Sequence, residues 1–177
     1  MKLLATFKDD QFEFQGITHN RIAARAVILN DKNEVAILRV YGQDGIEFRD
    51  YYETPGGGVK PNEPIDEAVI REAEEEIGYK CEIIAPIGII EDDYNKIFRH
   101  NITHYYLLKT VKKTEKHLED YETNLINTFI WVSIDEAIEI YKNFKPGKLA
   151  KIVQRREIPV FEEAKKIMME KDLYGKN

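Results

Sequence analysis

Apolar and polar positions alternate along much of the first half of the chain, and the pattern predicts strands that surround one helix. Apolar segments at 21–29 and 34–41 flank four turn-forming residues and predict an antiparallel strand pair. Further strands are predicted at 48–54, 79–90, 97–111 and 129–132. Strands before and after a central helix, with more helices late in the chain, are typical of a layered α/β domain.

The two ends of the chain add smaller elements. Segments 3–7 and 12–14 predict a short N-terminal hairpin. Near the other end, Ser133 is the predicted N-cap of a helix at 134–144, and Glu136 three residues later completes a capping box. Two more helices are predicted at 148–155 and 159–171.

The central helix, predicted between Pro64 and Gly78, has both of its ends marked in the sequence. Proline is tolerated in a first turn, and glycine adopts the left-handed conformation that follows a last turn. Spacings of three and four residues place on one helix face the carboxylates of Glu72, Glu75 and Glu76. The neighbouring stripe is apolar and consists of Val69, Ala73 and Ile77. Like charges at these spacings destabilise a helix, so the three glutamates suggest a bound cation, whereas the acidic run taken alone is typical of a solvated face.

Composition limits the classes of function. The chain has 177 residues, of which 43% are hydrophobic, and this fits one domain with a sizeable core. A net charge of −6 argues against broad binding to a nucleic-acid polymer or to an anionic membrane. The sequence shows no run of 18 apolar residues and no signal peptide, so we expect a cytoplasmic protein. The single cysteine, Cys81, excludes an internal disulfide and a thiolate metal cluster.

The residues around the acidic helix form a specific motif with the spacing G-x5-E-x7-R-E-x2-E-E-x-G. Its members are Gly57, Glu63, Arg71, Glu72, Glu75, Glu76 and Gly78. The motif resembles the Nudix box of the Nudix (MutT-like) hydrolase family, and the resemblance covers about residues 21–144. Two packing positions depart from the family pattern, because Ala73 is smaller than usual and Tyr79 replaces an aliphatic residue. The resemblance implies the Nudix α/β/α sandwich with a mixed β-sheet. We expect a single domain over 1–177, with an N-terminal strand pair in 1–20 and C-terminal helices in 145–177.

The same resemblance implies hydrolysis of a diphosphate with the help of Mg²⁺, or of Mn²⁺ as a substitute. The implied metal ligands are the Gly56 carbonyl and the carboxylates of Glu72, Glu75 and Glu76. The implied catalytic residues are Glu75, Glu72 and Arg71. Arg71 is expected to orient the carboxylates through charge-assisted hydrogen bonds, with an exposed ion pair to Glu67 as the alternative. Glu63 is expected to brace the loop.

The motif says less about substrate recognition. Arg39 and Arg49 are candidates for phosphate contacts, with solvated positions as the alternative, and Tyr94 is a candidate for stacking on a base, with core packing as the alternative. The general base lies in the motif or in a nearby loop. Six further carboxylates therefore stay open: Glu91, Asp92, Asp93, Glu115, Glu119 and Glu122. They belong to a predicted acidic loop at 91–95 and to a charged connection at 112–123.

The complete motif implies Mg-dependent hydrolysis of the diphosphate bond in a nucleoside diphosphate linked to another moiety. Candidate substrates are ADP-ribose, nucleotide sugars, dinucleoside polyphosphates and (d)NTPs. The alternative is a Nudix-like module that senses a nucleotide without cleaving it. Such modules often lose motif glutamates, and this chain keeps all of them. The expected partner is a small-molecule nucleoside diphosphate derivative, and a homodimer is an option for the assembly.

Overall fold

The alternating segments of the sequence form strands of one mixed sheet. The structure, a computed structural model, describes residues 1–43, 45–46, 48–116, 125–144 and 147–175. Its strands are β1 (Leu3–Phe7), β2 (His19–Leu29), β3 (Val35–Gln43), β4 (Phe48–Glu53), β5 (Gly56–Gly58), β6 (Tyr79–Tyr94), β7 (Arg99–Lys113) and β8 (Ile126–Val132). Its helices are α1 (Ile65–Ile77), α2 (Ile134–Asn143) and α3 (Lys148–Glu170), and a 3-10 turn covers Asn95–Ile97.

The strand order is β1–β6–β7–β2–β3–β4, with β5 attached to β2 and β8 attached to β3. Strand β1 runs parallel to β6 and β2 runs parallel to β7, whereas the other pairs are antiparallel. The predicted pair of β2 and β3 shares register at Leu29 and Val35 only. Beyond this point β5 lies along β2 and β4 lies along β3. The chain that leads from β4 to β5 therefore runs between the two strands and delivers the glycines to α1.

Apolar side chains fill both faces of the sheet. On β2 they alternate, because Ala24, Ala26 and Ile28 belong to one cluster and Val27 and Leu29 to the other. The first cluster includes, from α1 and the strand after it, Ala68, Val69, Ala73, Ile77 and Cys81. The second cluster includes, from α2 and α3, Ile134, Ala137, Val160, Phe161, Ala164 and Met168. The α/β/α sandwich with a mixed sheet is therefore confirmed, as is the apolar stripe of the central helix.

The predicted N-terminal hairpin is wrong. Strand β1 lies parallel to β6, with Phe7 opposite Asp92, and residues 12–14 form no strand. The reason is local, because the Asp9 carboxylate accepts hydrogen bonds from the N–H groups of Gln11 and Phe12 and from the Asn95 N–H. The polar segment after β1 is thereby bound to the far end of β6 and does not turn back on β1.

The predicted acidic loop is also wrong, because residues 91–94 are the end of β6. They pair with β7, with Asp93 opposite His100 and Tyr94 opposite Arg99. The Asp93 Oδ1 atom lies 2.7 Å from His100 Nδ1, and its Oδ2 atom lies 3.0 Å from Lys8 Nζ. These partners come from distant segments, and they offset the charge that suggests a loop when the run is considered alone.

The two predicted C-terminal helices form one continuous helix, α3, with Pro159 in its interior. An interior proline lacks one backbone hydrogen bond and costs about 3 kcal/mol. Val160, Phe161 and Ala164 are fully buried just after it, and each large apolar side chain buried contributes about 1.5–3 kcal/mol. Packing on the sheet therefore outweighs the local break. In the described part of the chain, no helix is long and apolar enough to cross a bilayer.

Candidate active site

Helix α1 begins and ends where the sequence predicts. Pro64 occupies the N-cap position, where its missing N–H has no helical partner to lose. Gly78 follows the last turn with φ of 71° and donates its N–H to the Glu74 carbonyl at 3.0 Å. A left-handed residue at this position favours glycine, so both end signals are confirmed.

Two of the predicted metal-binding glutamates on this helix face Gly56–Gly58, the residues of β5, which we call the glycine turn. Glu72 is 6% exposed and Glu76 is 2% exposed, whereas Glu75 lies nearer the surface. The Gly56 N–H donates to Glu76 Oε2 at 2.5 Å. A Cβ added at Gly57 would lie 2.6 Å from Glu72 Oε2. Both carboxylates thus lie directly against glycine backbone, at a distance that a residue with a side chain would not allow.

Arg71 connects the glutamates of the motif. Its guanidinium donates to Glu63 through Nε at 2.6 Å and Nη2 at 3.0 Å, and through Nη1 to Glu72 Oε1 and Glu75 Oε2 at 2.8 Å each. Glu63 also accepts from the Lys60 N–H at 2.8 Å. The hydrogen bonds from Arg71 lower the pKa of Glu63 to about 2. These contacts have the geometry of the predicted orienting role of Arg71, and they give Glu63 the bracing position.

Two charged residues outside the motif, the buried Arg25 and the partly buried Glu53, belong to the same site. Arg25 donates through Nη1 to the Thr54 carbonyl at 2.5 Å, and its Nη2 lies 2.9 Å from Glu53 Oε2. Burial raises the pKa of Glu76 well above its ordinary value; Arg25 opposes this shift, whereas the charges of Glu53 and Glu72 add to it. The sequence does contain a signal for Arg25, because it is a charged residue inside an apolar strand segment.

The carboxylates of Glu72, Glu75 and Glu76 fit the requirements of Mg²⁺, which prefers oxygen ligands and often binds to protein through one or two carboxylates. Burial disfavours the charged form of Glu76, and a bound cation would offset this penalty. Within the described ranges, no three carboxylate, histidine or cysteine side chains converge as a ready-made metal site. Glu72 and Glu75 accept hydrogen bonds from Arg71, and Glu76 accepts one from Gly56. The metal-ligand roles of these residues stay predictions.

A cavity beside the carboxylates is lined largely by arginines. Its volume is about 300 Å³, and its lining consists of Arg21, Arg25, Val40, Arg49, Glu53, Gly56, Gly57, Glu76, Arg99 and Leu125. A second cavity of about 130 Å³ shares five of these residues, namely Arg21, Arg25, Arg49, Glu53 and Arg99. Its further lining includes Asp92, Tyr94, Asn101 and Arg156. We refer to the two together as the arginine-lined cavity.

Of the three residues predicted to contact the substrate, two line this cavity. Arg49 lies in the wall of both parts. Tyr94 lines the second part but is only 5% exposed, and its ring centre lies 5.6 Å from that of Phe12. Arg39 lies elsewhere, paired with Asp50 and 5.2 to 5.7 Å from the centres of three aromatic rings. All three assignments stay predictions, and the geometry favours Arg49.

The six additional candidates for the general base are dispersed. Asp92 lies in the wall of the second part of the cavity, and burial raises its pKa. Asp93 is instead paired with His100. Glu119 and Glu122 lie outside the described residues. Among the described members of this group, Asp92 is therefore the one that the fold brings to the site.

Comparison with known proteins identifies the family. The NUDIX domain profile matches residues 19–155. The chain therefore belongs to the NUDIX domain family, as its motif predicts. It is 33% identical over 101 residues to the human diphosphoinositol polyphosphate phosphohydrolase NUDT4B, and 31% identical over 101 residues to the mouse diphosphoinositol polyphosphate phosphohydrolase 3-alpha. The matches cover 56% of this chain and 52% and 57% of those proteins, so the chain spans little more than half the length of the curated relatives it matches.

Solved structures share the fold. A NUDIX hydrolase from Nitrosomonas europaea has a TM-score of 0.62 at 19% identity, and the match covers 82% of this chain and 88% of that one. A MutT protein from Methanosarcina mazei Go1 has a TM-score of 0.60 at 21% identity, with coverages of 87% and 99%. At these identities the likeness establishes the fold alone. The substrate has to be inferred from the residues of the site.

Proposed function

We propose that the protein is a pyrophosphohydrolase that uses Mg²⁺, or Mn²⁺ as a substitute, to cleave a diphosphate bond in a phosphorylated small molecule. The candidates implied by the sequence are ADP-ribose, nucleotide sugars, dinucleoside polyphosphates and (d)NTPs. The names of the curated relatives add the diphosphoinositol polyphosphates. All of these molecules contain a phosphoanhydride bond, which is the feature that the proposal requires.

The observation that carries the proposal is the position of two motif carboxylates. Glu72 and Glu76 are buried against the glycine turn, and the turn and Glu76 also line the arginine-lined cavity. A diphosphate bound there lies between glutamates that hold a cation and arginines that contact its oxygens. Hydrolysis of a phosphoanhydride requires this combination of negative and positive groups.

Each group has a definite task in the proposed reaction. A bound Mg²⁺ would supply neutralisation of the charge on the phosphoryl oxygens. Glu72, Glu75 and Glu76, with the Gly56 carbonyl, are the groups that would hold the ion. Arg71 keeps the glutamates in register through the hydrogen bonds described above. A motif glutamate accepts the proton of the attacking water, and the arginines orient the diphosphate for in-line attack.

Replacement of Glu76 by glutamine tests the proposal. Because burial already favours the neutral form of this side chain, Glu76→Gln should fold normally, whereas it should lose turnover on the order of 10²-fold or more. Turnover is measured as phosphate or nucleotide release in Mg²⁺ and in Mn²⁺. The substrates are ADP-ribose, diadenosine tetraphosphate, a (d)NTP and a diphosphoinositol polyphosphate.

Glu67→Gln is the matched control, because Glu67 is an exposed glutamate of the same helix. Its activity should equal that of the unmodified protein. An active Glu76→Gln protein contradicts the metal site. Saturable binding without turnover of any substrate by the unmodified protein identifies the alternative, a nucleotide-sensing module.

A further inference from the structure

We infer that the second part of the arginine-lined cavity binds an uncharged part of the substrate, which donates hydrogen bonds to Asp92 and Asn101. The nucleobase and the sugar hydroxyls of a nucleotide both have this chemistry. The inference rests on the proposed function and narrows it to substrates that carry such a group beside the diphosphate. Diphosphoinositol polyphosphates, in which phosphates take the place of hydroxyls, are disfavoured.

Two neighbouring strands supply the polar floor of this part of the cavity. Asp92 of β6 is the register partner of Asn101 of β7, and Arg99 lies two residues before Asn101 on β7. Paired residues of adjacent strands, and residues two apart on one strand, project from the same face of a sheet. All three residues line the second part of the cavity. The pairing of β6 with β7 therefore brings them together on one surface.

Hydrogen-bonding capacity on this floor is left unused by the protein. Asp92 is 1% exposed and Asn101 is 4% exposed, and the Asn101 amide donates to Asp92 Oδ2 at 3.5 Å. The Oδ1 atoms of both residues and the Nε atom of Arg99 are buried, and they have no hydrogen-bond partner from any described residue. Buried polar atoms without partners are destabilising and are uncommon in folded proteins. Three of them on one cavity floor indicate a ligand that satisfies them.

The three atoms define what this ligand must offer. Two oxygens accept hydrogen bonds and require donors, whereas the Arg99 N–H requires an acceptor. A fully ionised phosphate carries acceptors alone, so it would satisfy Arg99 but would be repelled by Asp92. The hydroxyls of a sugar and the amino group of a nucleobase are donors with an acceptor close by. The floor thus matches the organic part of a nucleotide better than it matches a phosphate.

The buried arginines next to this floor are compensated by carboxylates of the protein itself. Glu53 lies 2.9 Å from Arg25 and 3.6 Å from Arg156, and Arg156 also donates through Nε to the buried Glu157 at 3.1 Å. Burial raises the pKa of Asp92, and Arg156 opposes this shift. Because these charges are paired, an uncharged group suits this part of the cavity better than additional phosphates do.

Helix α3 adds an apolar wall to the polar floor. Leu149, Ile152 and Val153 line the second part of the cavity and are 4 to 7% exposed. Aliphatic side chains pack against the face of a nucleobase or the C–H groups of a sugar ring, and this burial of apolar surface is favourable. A phosphate offers no apolar surface. The wall and the floor together therefore indicate a group that is apolar on its face and polar along its edge.

Binding of uncleavable analogues tests the inference. Isothermal titration in Mg²⁺ compares α,β-methylene-ADP with methylenediphosphonate, which has the same P–C–P unit without the nucleoside. We expect the nucleotide analogue to bind at least about tenfold more tightly, because it alone supplies donors and apolar surface to the second part of the cavity. It should also bind more tightly than myo-inositol hexakisphosphate, which has phosphates in place of all its hydroxyls.

Two further analogues identify the donor. The α,β-methylene diphosphate of 2′,3′-dideoxyadenosine lacks the ribose hydroxyls, and that of purine riboside lacks the amino group of the base. An affinity loss of about tenfold for the first assigns the donors to the sugar, and the same loss for the second assigns them to the base. Unchanged affinity for both analogues contradicts the inference.

An aspartate variant locates the binding. Asp92→Asn retains the shape of the side chain and replaces one acceptor by a donor. It should weaken binding of α,β-methylene-ADP about tenfold and leave binding of methylenediphosphonate unchanged, whereas a purely structural role would not separate the two ligands. Asp93→Asn is the matched control, because Asp93 is the next residue but pairs with Lys8 and His100. It should bind both ligands as the unmodified protein does.

An arginine variant tests the donor of the floor. Arg99→Gln should weaken binding of α,β-methylene-ADP at least about tenfold. Arg155→Gln is the control, because Arg155 is next to Arg156 but pairs with Asp10 outside the cavity. It should bind as the unmodified protein does. If Arg99→Gln does not fold, Arg99→Lys, which keeps the charge but loses the Nε donor, decides by the same criterion.

Three results would overturn the inference: methylenediphosphonate or myo-inositol hexakisphosphate that binds as tightly as α,β-methylene-ADP, donor-free analogues that bind normally, or a folded Asp92→Asn protein that binds normally. If Asp92→Asn does not fold, the donor-free analogues decide on the unmodified protein. Hydrolysis that persists without this discrimination rejects the inference alone. Discrimination without hydrolysis of any substrate rejects the proposed function alone.

Discussion

The two ends of the cavity contrast in how the sequence builds them. The carboxylate end comes from one helix and the glycine turn before it, and its glutamates are spaced three and four residues apart. The arginine end comes from four elements, and its residues lie between positions 21 and 156. Helix geometry alone places the three glutamates on one face, whereas the arginine end exists only after the sheet and α3 have formed. We therefore expect the carboxylate end to govern the rate of reaction and the arginine end to govern affinity.

Replacing Gly57 should damage the carboxylate end most. In Gly57→Ala the added Cβ would lie 2.6 Å from Glu72 Oε2 and force this carboxylate away from the turn. We expect kcat to fall on the order of 10²-fold, because displacement of a catalytic group by about 1 Å has this effect. Steady-state kinetics measures the change. A Gly57→Ala protein with normal kcat would show that the close approach of Glu72 is not required.

A smaller loss is expected when the carboxylates remain but lose their orienting partner. Arg71→Gln removes hydrogen bonds to Glu63, Glu72 and Glu75. We expect kcat to fall about 10- to 100-fold, as for other residues that orient metal ligands. Mn²⁺ titration followed by electron paramagnetic resonance should show weaker metal binding. Unchanged metal binding and kcat would exclude the orienting role.

The same contact predicts how stability depends on pH. Arg71 lowers the pKa of Glu63 from 4.5 to about 2 in the folded protein. The resulting stabilisation is complete above pH 4.5 and is lost as the pH falls toward 2, because the unfolded chain binds the proton first. Urea unfolding at pH 6 and pH 3 should show a larger loss of stability in the unmodified protein than in Arg71→Gln. Equal losses would contradict the predicted shift.

The smallest effect is expected from Arg49. This residue lines both parts of the cavity, whose lining contains four other arginines. Arg49→Gln should raise KM for a phosphorylated substrate about three- to tenfold and leave kcat nearly unchanged. A hydrogen bond to a charged group contributes about 1.5–3 kcal/mol, and the neighbouring arginines compensate part of its loss. A change confined to kcat would assign Arg49 to the reaction itself. Arg155→Gln again supplies the matched arginine control.

Local patterns account for the parts of the fold that the sequence predicts. Pro64, Gly78 and the capping box of Ser133 and Glu136 depend on neighbours within one helical turn, and all of them are confirmed. The two strands assigned around the turn at 30–33 are also present, although they diverge beyond it. Where only nearby residues decide the conformation, the sequence is sufficient.

The errors arise where distant segments decide. Strand β1 does not form the predicted hairpin because it pairs in parallel with β6. The acidic run at the end of β6 is a strand because Lys8 and His100 compensate the charge of Asp93. Helix α3 continues through Pro159 because its apolar face packs on the sheet. The arginine-lined cavity has the same origin, and of its five arginines the sequence pattern singled out Arg49 alone.

The most direct test of the division between the two ends is a kinetic comparison of Glu76→Gln and Arg99→Gln on the substrate with the highest turnover in the screen. We predict that Glu76→Gln lowers kcat on the order of 10²-fold or more with KM within about threefold of the unmodified protein. We predict that Arg99→Gln raises KM at least about tenfold with kcat within about threefold. Two variants that change the same parameter by similar factors would contradict the account.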